Sequence, residues 1–134
     1  MPRELVPYSI EFITGMTKKG CDKVGVNIVF IDHLHYVFDI ERSKNVSIDI
    51  GKTVRDLKRM AVDLNLVVFL ICHTNKAKID NQVDMGLHLL RDSGLIACEA
   101  DTGIFVWHNT TDEGGISTTE SIIKICKARR TGVM

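Results

Sequence analysis

This sequence predicts an α/β fold with a mostly parallel sheet, and three observations carry the prediction. Two short, nearly continuous apolar runs, Val26-Asn27-Ile28-Val29-Phe30-Ile31 and Leu66-Val67-Val68-Phe69-Leu70-Ile71, have the length and β-branched content of strands buried on both faces of a parallel sheet. Between them Ile50, Val54, Leu57, Ala61 and Leu64 recur in steps of four, three, four and three, which sets them on one stripe of a helix. Strand, helix and strand in that order close as a right-handed parallel crossover.

From the N-terminus, residues 9–21 read as a weak helix interrupted by Gly15 and closed by Gly20. The first strand follows over residues 26–31. Asp49 is the expected cap of the central helix, and the second strand starts directly after that helix, at Leu66. Beyond Cys72 a polar stretch extends to Asp84, then a short helical or turn region from Leu87 to Asp101, then a strand over residues 102–107. Residues 109–119, with Gly114-Gly115, read as a hairpin loop into a last strand over residues 120–127. The sheet therefore closes on a C-terminal β-hairpin.

Composition bounds the rest. A chain of 134 residues, 45% hydrophobic and 25% charged, without internal repeat, low-complexity stretch or Pro/Gly/Ser linker, is expected to form a single domain over residues 1–134. No apolar run approaches the roughly 18 residues of a membrane span, and the N-terminus lacks a signal-peptide core, so a cytoplasmic location is expected. Cys21, Cys72, Cys98 and Cys126 form no C-x-x-C pair, and Cys72 and Cys126 sit in runs that read as buried strands, which predicts reduced core cysteines. Seventeen basic against seventeen acidic residues leave no global field, so any nucleic-acid contact must come from a local patch.

In open α/β sheets ligands bind at the carboxyl ends of the strands. Here those ends are polar: Asp32-His33 after the first strand, His73-Thr74-Asn75-Lys76 after the second, Lys127-Ala128-Arg129-Arg130 after the last. An aspartate following four apolar residues is the Walker-B arrangement, whose carboxylate holds a water of Mg²⁺ beside nucleotide phosphates. Each residue also has a plainer reading. Asp32 can cap the next turn, His73 can bond a backbone carbonyl, Lys76 and Lys78 can be solvated loop charges, and the basic tail can serve solubility. Trp107, closing an apolar strand, is expected to pack rather than to stack on a base.

Taken together, the segments resemble one family. Ile28-Val29-Phe30-Ile31-Asp32-His33-Leu34-His35-Tyr36 is similar to the Walker-B segment of DnaB-type replicative DNA helicases. The helix ending Leu57-Lys58-Arg59-Met60-Ala61-Val62-Asp63-Leu64-Asn65 resembles the helix before their next strand, and Cys72-His73-Thr74-Asn75-Lys76 resembles their third motif. Leu90-Arg91-Asp92-Ser93-Gly94-Leu95-Ile96 with Glu99-Ala100-Asp101, and Lys127-Ala128-Arg129-Arg130-Thr131-Gly132, resemble two further segments in family order over residues 24–133.

The resemblance implies a RecA-like three-layer fold, present in part. It implies Asp32 as the Mg²⁺-water ligand, His73 as γ-phosphate sensor, and Asn75 and Lys76 as the start of a loop facing single-stranded DNA. Arg91 would belong to the segment linking that loop to the subunit interface. Lys127 and Arg129 would act in trans on the ATP, or another nucleotide, of a neighbouring copy or helicase subunit in a ring, where positive charge stabilises phosphoryl transfer.

The phosphate cradle G-x-x-x-x-G-K-[ST] is missing from these residues. Gly51-Lys52-Thr53 offers only its tail: Val46 stands where the first glycine belongs, and the tripeptide lies downstream of the Walker-B-like strand, so it reads as a helix start. Glu4 and Glu11 do not sit in the context of the family's catalytic glutamate. The expectation is a chain cut through a domain at both ends, which alone hydrolyses no nucleotide and binds neither Mg²⁺ nor ATP tightly.

Two rival classes remain open at this level. His33-Leu34-His35 after a strand suggests a metal-dependent hydrolase, with further ligands from His73, His88, His108 and Asp101, although the barrels that use such a pair take about 250 residues. The other rival is a non-catalytic remnant that binds single-stranded DNA through Lys76 and Arg129, or binds a helicase subunit.

Overall fold

The computed structural model describes residues 9–37, 45–73, 94–113 and 116–132. Helix α1, Ile10–Val24, starts at Ser9, whose Oγ accepts the Phe12 N–H at 3.2 Å. It runs on through Gly15 and Gly20, correcting the early stop expected there, because one glycine in a helix costs only about 1 kcal/mol. It ends at Gly25, which takes a left-handed φ of 70° while its N–H returns to the Cys21 carbonyl at 3.0 Å.

Strand β1, Ile28–Ile31, pairs in parallel with β2, Val67–Leu70. The crossover between them is α2, Val46–Asp63. Its cap is Asn45, whose side chain accepts the Ile48 N–H at 3.3 Å; the expected cap, Asp49, lies one turn further in. A carboxylate in the first turn suits the helix dipole as well as it suits the cap, and so sequence alone does not separate the two positions. At the far end Asn65 adopts φ 49°, with its N–H on the Val62 carbonyl and that of Leu66 on the Ala61 carbonyl. This closes the helix and turns the chain straight into β2.

One face of the β1/β2 pair is covered. Val29, Ile31, Val68 and Leu70 pack against Leu57 and Met60 of α2 and Ile10 and Ile13 of α1. The other face, Ile28, Phe30, Val67 and Phe69, is exposed, and the Phe30 and Phe69 rings stack at 4.8 Å and 11°. Burial on both faces, expected from the apolar runs, is therefore corrected: among the described residues helices cover one side only.

Helix α3, Gly94–Glu99, packs against α2. Leu34 and Ile50, both fully buried, form a second core with Val54 and Ile96. Then come β3, Thr102–Glu113, and β4, Ile116–Ala128, an antiparallel hairpin longer than the sequence suggested. Polar residues such as Thr110 and Thr119 pair across it as strand rather than loop, because cross-strand threonines are good β formers. The hairpin forms a two-stranded sheet of its own.

Gly51 sits six residues into α2, not at its start, and it is buried. A Cβ there would lie 2.3 Å from Leu95 Cδ1 and 3.2 Å from Leu95 Cβ, so the absent side chain is what lets α3 approach. The Gly-Lys-Thr tripeptide is a packing feature. Gly51→Ala should cost about 1–3 kcal/mol despite alanine's better helix propensity, and adding Leu95→Ala should recover most of the loss. Denaturant midpoints of the single and double variants measure this; a raised midpoint in Gly51→Ala, as helix propensity alone would give, would mean the helices are not in close contact.

Candidate functional site

Parallel pairing ends both strands at the same rim. The Ile71 N–H donates to the Ile31 carbonyl and the Leu34 N–H to the Ile71 carbonyl, each at 3.0 Å, so the chain beyond β1 stays bound to the chain beyond β2. Fully buried Leu34 anchors that crossing. Asp32, His33 and His73 therefore share one edge, with Asp32 and His73 exposed to solvent. The His33 ring lies between His73, at 4.3 Å and 70°, and Tyr36, at 4.5 Å and 38°. This ring contact escaped the sequence reading. The signal was the three-residue spacing of His33 and Tyr36, which a 3₁₀ turn over Leu34–Tyr36 brings to one side.

Chemically the rim carries a carboxylate after β1 and an imidazole after β2, both open to solvent. An exposed carboxylate oxygen at a strand end is a hard donor suited to Mg²⁺ or its water shell, and an imidazole is a hydrogen-bonding group. Below the rim, Cys72 packs against the Leu34 and Ile50 core, just past β2 rather than within it. Burial pushes its thiol up to about 11.

Lys127 and Arg129 serve a different contact. The β3/β4 register shifts between Gly103 and Ile104, so that Gly103 pairs with Lys127 and Ile104 with Ile125, leaving Cys126 as the extra residue of a bulge. The bulge turns Lys127 onto the face of Gly103 and Phe105, where it is 9% exposed. Its Nζ donates to the carbonyls of Ala97, at 2.5 Å, and Cys98, at 3.3 Å, at the carboxyl end of α3. Arg129 joins it: Nη2 donates to the Cys98 carbonyl at 2.6 Å and Nη1 to Asp101 Oδ1 at 3.4 Å. Two cations on the last carbonyls of a helix satisfy orphan acceptors and oppose the helix dipole.

Asp101 also binds Lys58 of α2, and Arg55 of α2 pairs with Glu99 at 3.1 Å. The Lys58 bond, followed by the nearby charges of Lys58, Arg129 and Lys127, holds the Asp101 carboxyl below its ordinary value. The basic strand end thus has partners in its own chain, which the sequence reading of Lys127 and Arg129 did not foresee.

Asn75, Lys76, Lys78, His88 and Arg91 lie outside the described residues, as does the side chain of His35. Among the described residues no group of three or more His, Cys, Asp or Glu side chains is disposed to hold a metal. His108 shares a hydrogen bond with Ser121 at 3.0 Å on the hairpin, and Asp101 is engaged as above. The Trp107 indole N–H is buried without a partner among the described residues, in keeping with a packing side chain. No helix among them is long and apolar enough to cross a membrane.

Comparison with known proteins follows the same lines. The family model for the DnaB-like helicase C terminal domain matches residues 6–134. The chain is 28% identical over 100 residues to the replicative DNA helicase DnaB of Rickettsia felis, covering 74% of this chain and 20% of that protein. The match to the DnaB of Rickettsia prowazekii is likewise 28% over 100 residues, covering 74% of this chain and 21% of that one. The chain thus spans about a fifth of these relatives. A solved DnaB-like replicative helicase, described with its interactions with primase, superposes with a TM-score of 0.66 at 21% identity, over 87% of this chain and 32% of that one. That likeness establishes the RecA-like α/β fold.

Two measurements check the electrostatics. Cys72 should resist alkylation at pH 8 while exposed Cys98 reacts, and its rate should climb only as pH approaches 11; equal labelling of the two at pH 8 would contradict its burial. Because the Asp101 pKa is lowered on folding, its contribution to stability is present above the ordinary value of 3.8 and is lost as pH falls through the folded value. Acid titration of the melting temperature should show the native chain losing its margin over Asp101→Asn below about pH 4. A margin independent of pH would remove Asp101 from the account.

Proposed function

The chain belongs to the DnaB-like helicase C-terminal domain family, and on that footing we propose that it contributes part of the ATP-driven motor of a replicative DNA helicase. The observation that carries the reading is the shared rim, where Asp32 and His73 follow paired parallel strands and His33 lies 4.3 Å from His73. In this reading Asp32 holds a water of Mg²⁺ and His73 detects the γ-phosphate. Mg²⁺ bound with ATP neutralises charge on the phosphoryl group being transferred. Asn75 and Lys76 open the loop that follows single-stranded DNA, and Arg91 joins that loop to the subunit interface. Arg129 is the cation offered to the nucleotide of a neighbouring copy or helicase subunit. Lys127 has its ammonium committed to two carbonyls, so its contribution is to seat the strand end that carries Arg129. The setting is a cytoplasmic ring on DNA.

The 134 residues contain no G-x-x-x-x-G-K-[ST] cradle, and this favours a second reading for the chain by itself: a non-catalytic module that binds single-stranded DNA or a helicase subunit. The two readings differ in what they need. Hydrolysis requires a cradle, which these 134 residues do not supply; binding does not.

The purified chain should show no nucleotide turnover above background. Added to cradle-bearing helicase subunits whose own finger arginine has been replaced, it should restore at least tenfold of the lost hydrolysis, on the order of what one positioned cation contributes. Arg129→Ala should abolish that rescue. Turnover by the chain alone that disappears in Asp32→Ala would overturn the incomplete-motor reading. Fluorescence anisotropy with a labelled single strand tests the binding module: affinity that falls steeply with salt and weakens in Lys76→Ala supports it, and no binding at low salt removes it.

A further inference from the structure

We propose that Asp101 and the carboxyl end of α3 form a latch that stows Arg129 within its own chain, so that Arg129 reaches an outside phosphate only when the latch opens. The proposal rests on the reading of Arg129 as a phosphate-binding cation and adds how its availability is set.

Three observations converge on it. Both terminal nitrogens of Arg129 are engaged: Nη2 on the Cys98 carbonyl at 2.6 Å, Nη1 on Asp101 at 3.4 Å. The side chain is nevertheless 53% exposed and Asp101 51% exposed, so an anion from solvent can reach the pair directly. Finally, Asp101 is shared, with Lys58 of α2 holding the other carboxylate oxygen. Releasing Arg129 therefore leaves Asp101 with a cation, and the Cys98 carbonyl keeps the Lys127 ammonium at 3.3 Å. Neither partner is abandoned when the guanidinium departs.

The contrast with Lys127 supports this division of labour. The residue is 9% exposed with its ammonium bonded to two carbonyls, and withdrawing it would leave both acceptors without that donor. Arg129 has five N–H donors, of which the latch uses two. A phosphate offers several oxygens in a geometry that matches the guanidinium fork, and can outcompete one long carboxylate contact and one carbonyl. One basic residue is fixed and the other is releasable.

The latch lowers apparent affinity for phosphate by the fraction of time it is closed. Inorganic tripolyphosphate titrated into the intact chain is the probe, followed by calorimetry. Asp101→Asn should bind about fivefold tighter than the native chain, as loss of an exposed ion pair predicts. Glu99→Gln is the control, since it removes an equal charge nearby but leaves Arg129 latched; it should bind close to the native chain. The gain should vanish in Asp101→Asn/Arg129→Ala. Equal affinity of Asp101→Asn and Glu99→Gln, or a gain that survives Arg129→Ala, overturns the latch.

A measurement on the native chain guards against a variant that fails to fold. Tripolyphosphate should move the NMR signals of the Arg129 guanidinium and of the Asp101 carboxyl carbon over the same concentration range. A guanidinium response with Asp101 silent also overturns it. Failure of the helicase reading shows elsewhere, in Arg129→Ala leaving the rescued hydrolysis intact, so the two can fail separately.

Discussion

Two strands can pair in parallel only if the chain between them crosses back over the sheet, and a helix is the compact way to make that crossing. The β1/β2 pair imposes this on the first half of the molecule. Helix α2 must lie on one face with Leu57 and Met60 turned inward, and α1 can add Ile10 and Ile13 to the same core. The same pairing forces both strands to end together. Asp32 and His73 are 41 positions apart in sequence (73 − 32), yet they share a rim because Ile31 pairs with Leu70 and the ladder continues through Ile71.

The second half is organised by a junction of charges rather than by a shared sheet. Helix α3 is short, and its carboxyl end would expose carbonyls without partners were it not for the hairpin. The bulge at Cys126 rotates Lys127 into those carbonyls, and the turn after β4 brings Arg129 beside it. Lys58 and Arg55 on α2 hold Asp101 and Glu99 from the other side. The surface ion pairs in this junction are each worth about 0–1 kcal/mol, while the buried lysine and its two carbonyls cannot be separated without a penalty of about 1–3 kcal/mol. Rigidity therefore resides at Lys127 and adaptability at Arg129.

Much of the fold was legible because burial is periodic. The stripe on α2 and the two apolar runs read correctly from spacing, and a closing hairpin was foreseen with a loop too long, since a helix and a strand impose different periods on the residues they bury. Boundaries were less legible. Asn45 and Asp49 are both good candidates near a helix start, and only the hydrogen bond to Ile48 separates them. Gly20 is a fair stop signal until Gly25 is seen to take the left-handed conformation. The outer face of β1 and β2 differs for another reason: an apolar run reports what both faces could bury, while among the described residues helices cover one of them.

For the candidate site, sequence by itself determined which chemical groups end the strands: an aspartate after the first, a histidine after the second, a lysine and an arginine after the last. It also determined the family, because ordered motifs survive as local strings. Tertiary structure alone decided what those groups touch. It set the His33 ring edge-on to His73, gave Gly51 to the Leu95 contact rather than to a phosphate, and turned Lys127 and Arg129 onto α3. The physical reason is that each of these contacts joins residues distant in sequence, and their geometry depends on a register shift or a helix approach that no local pattern encodes.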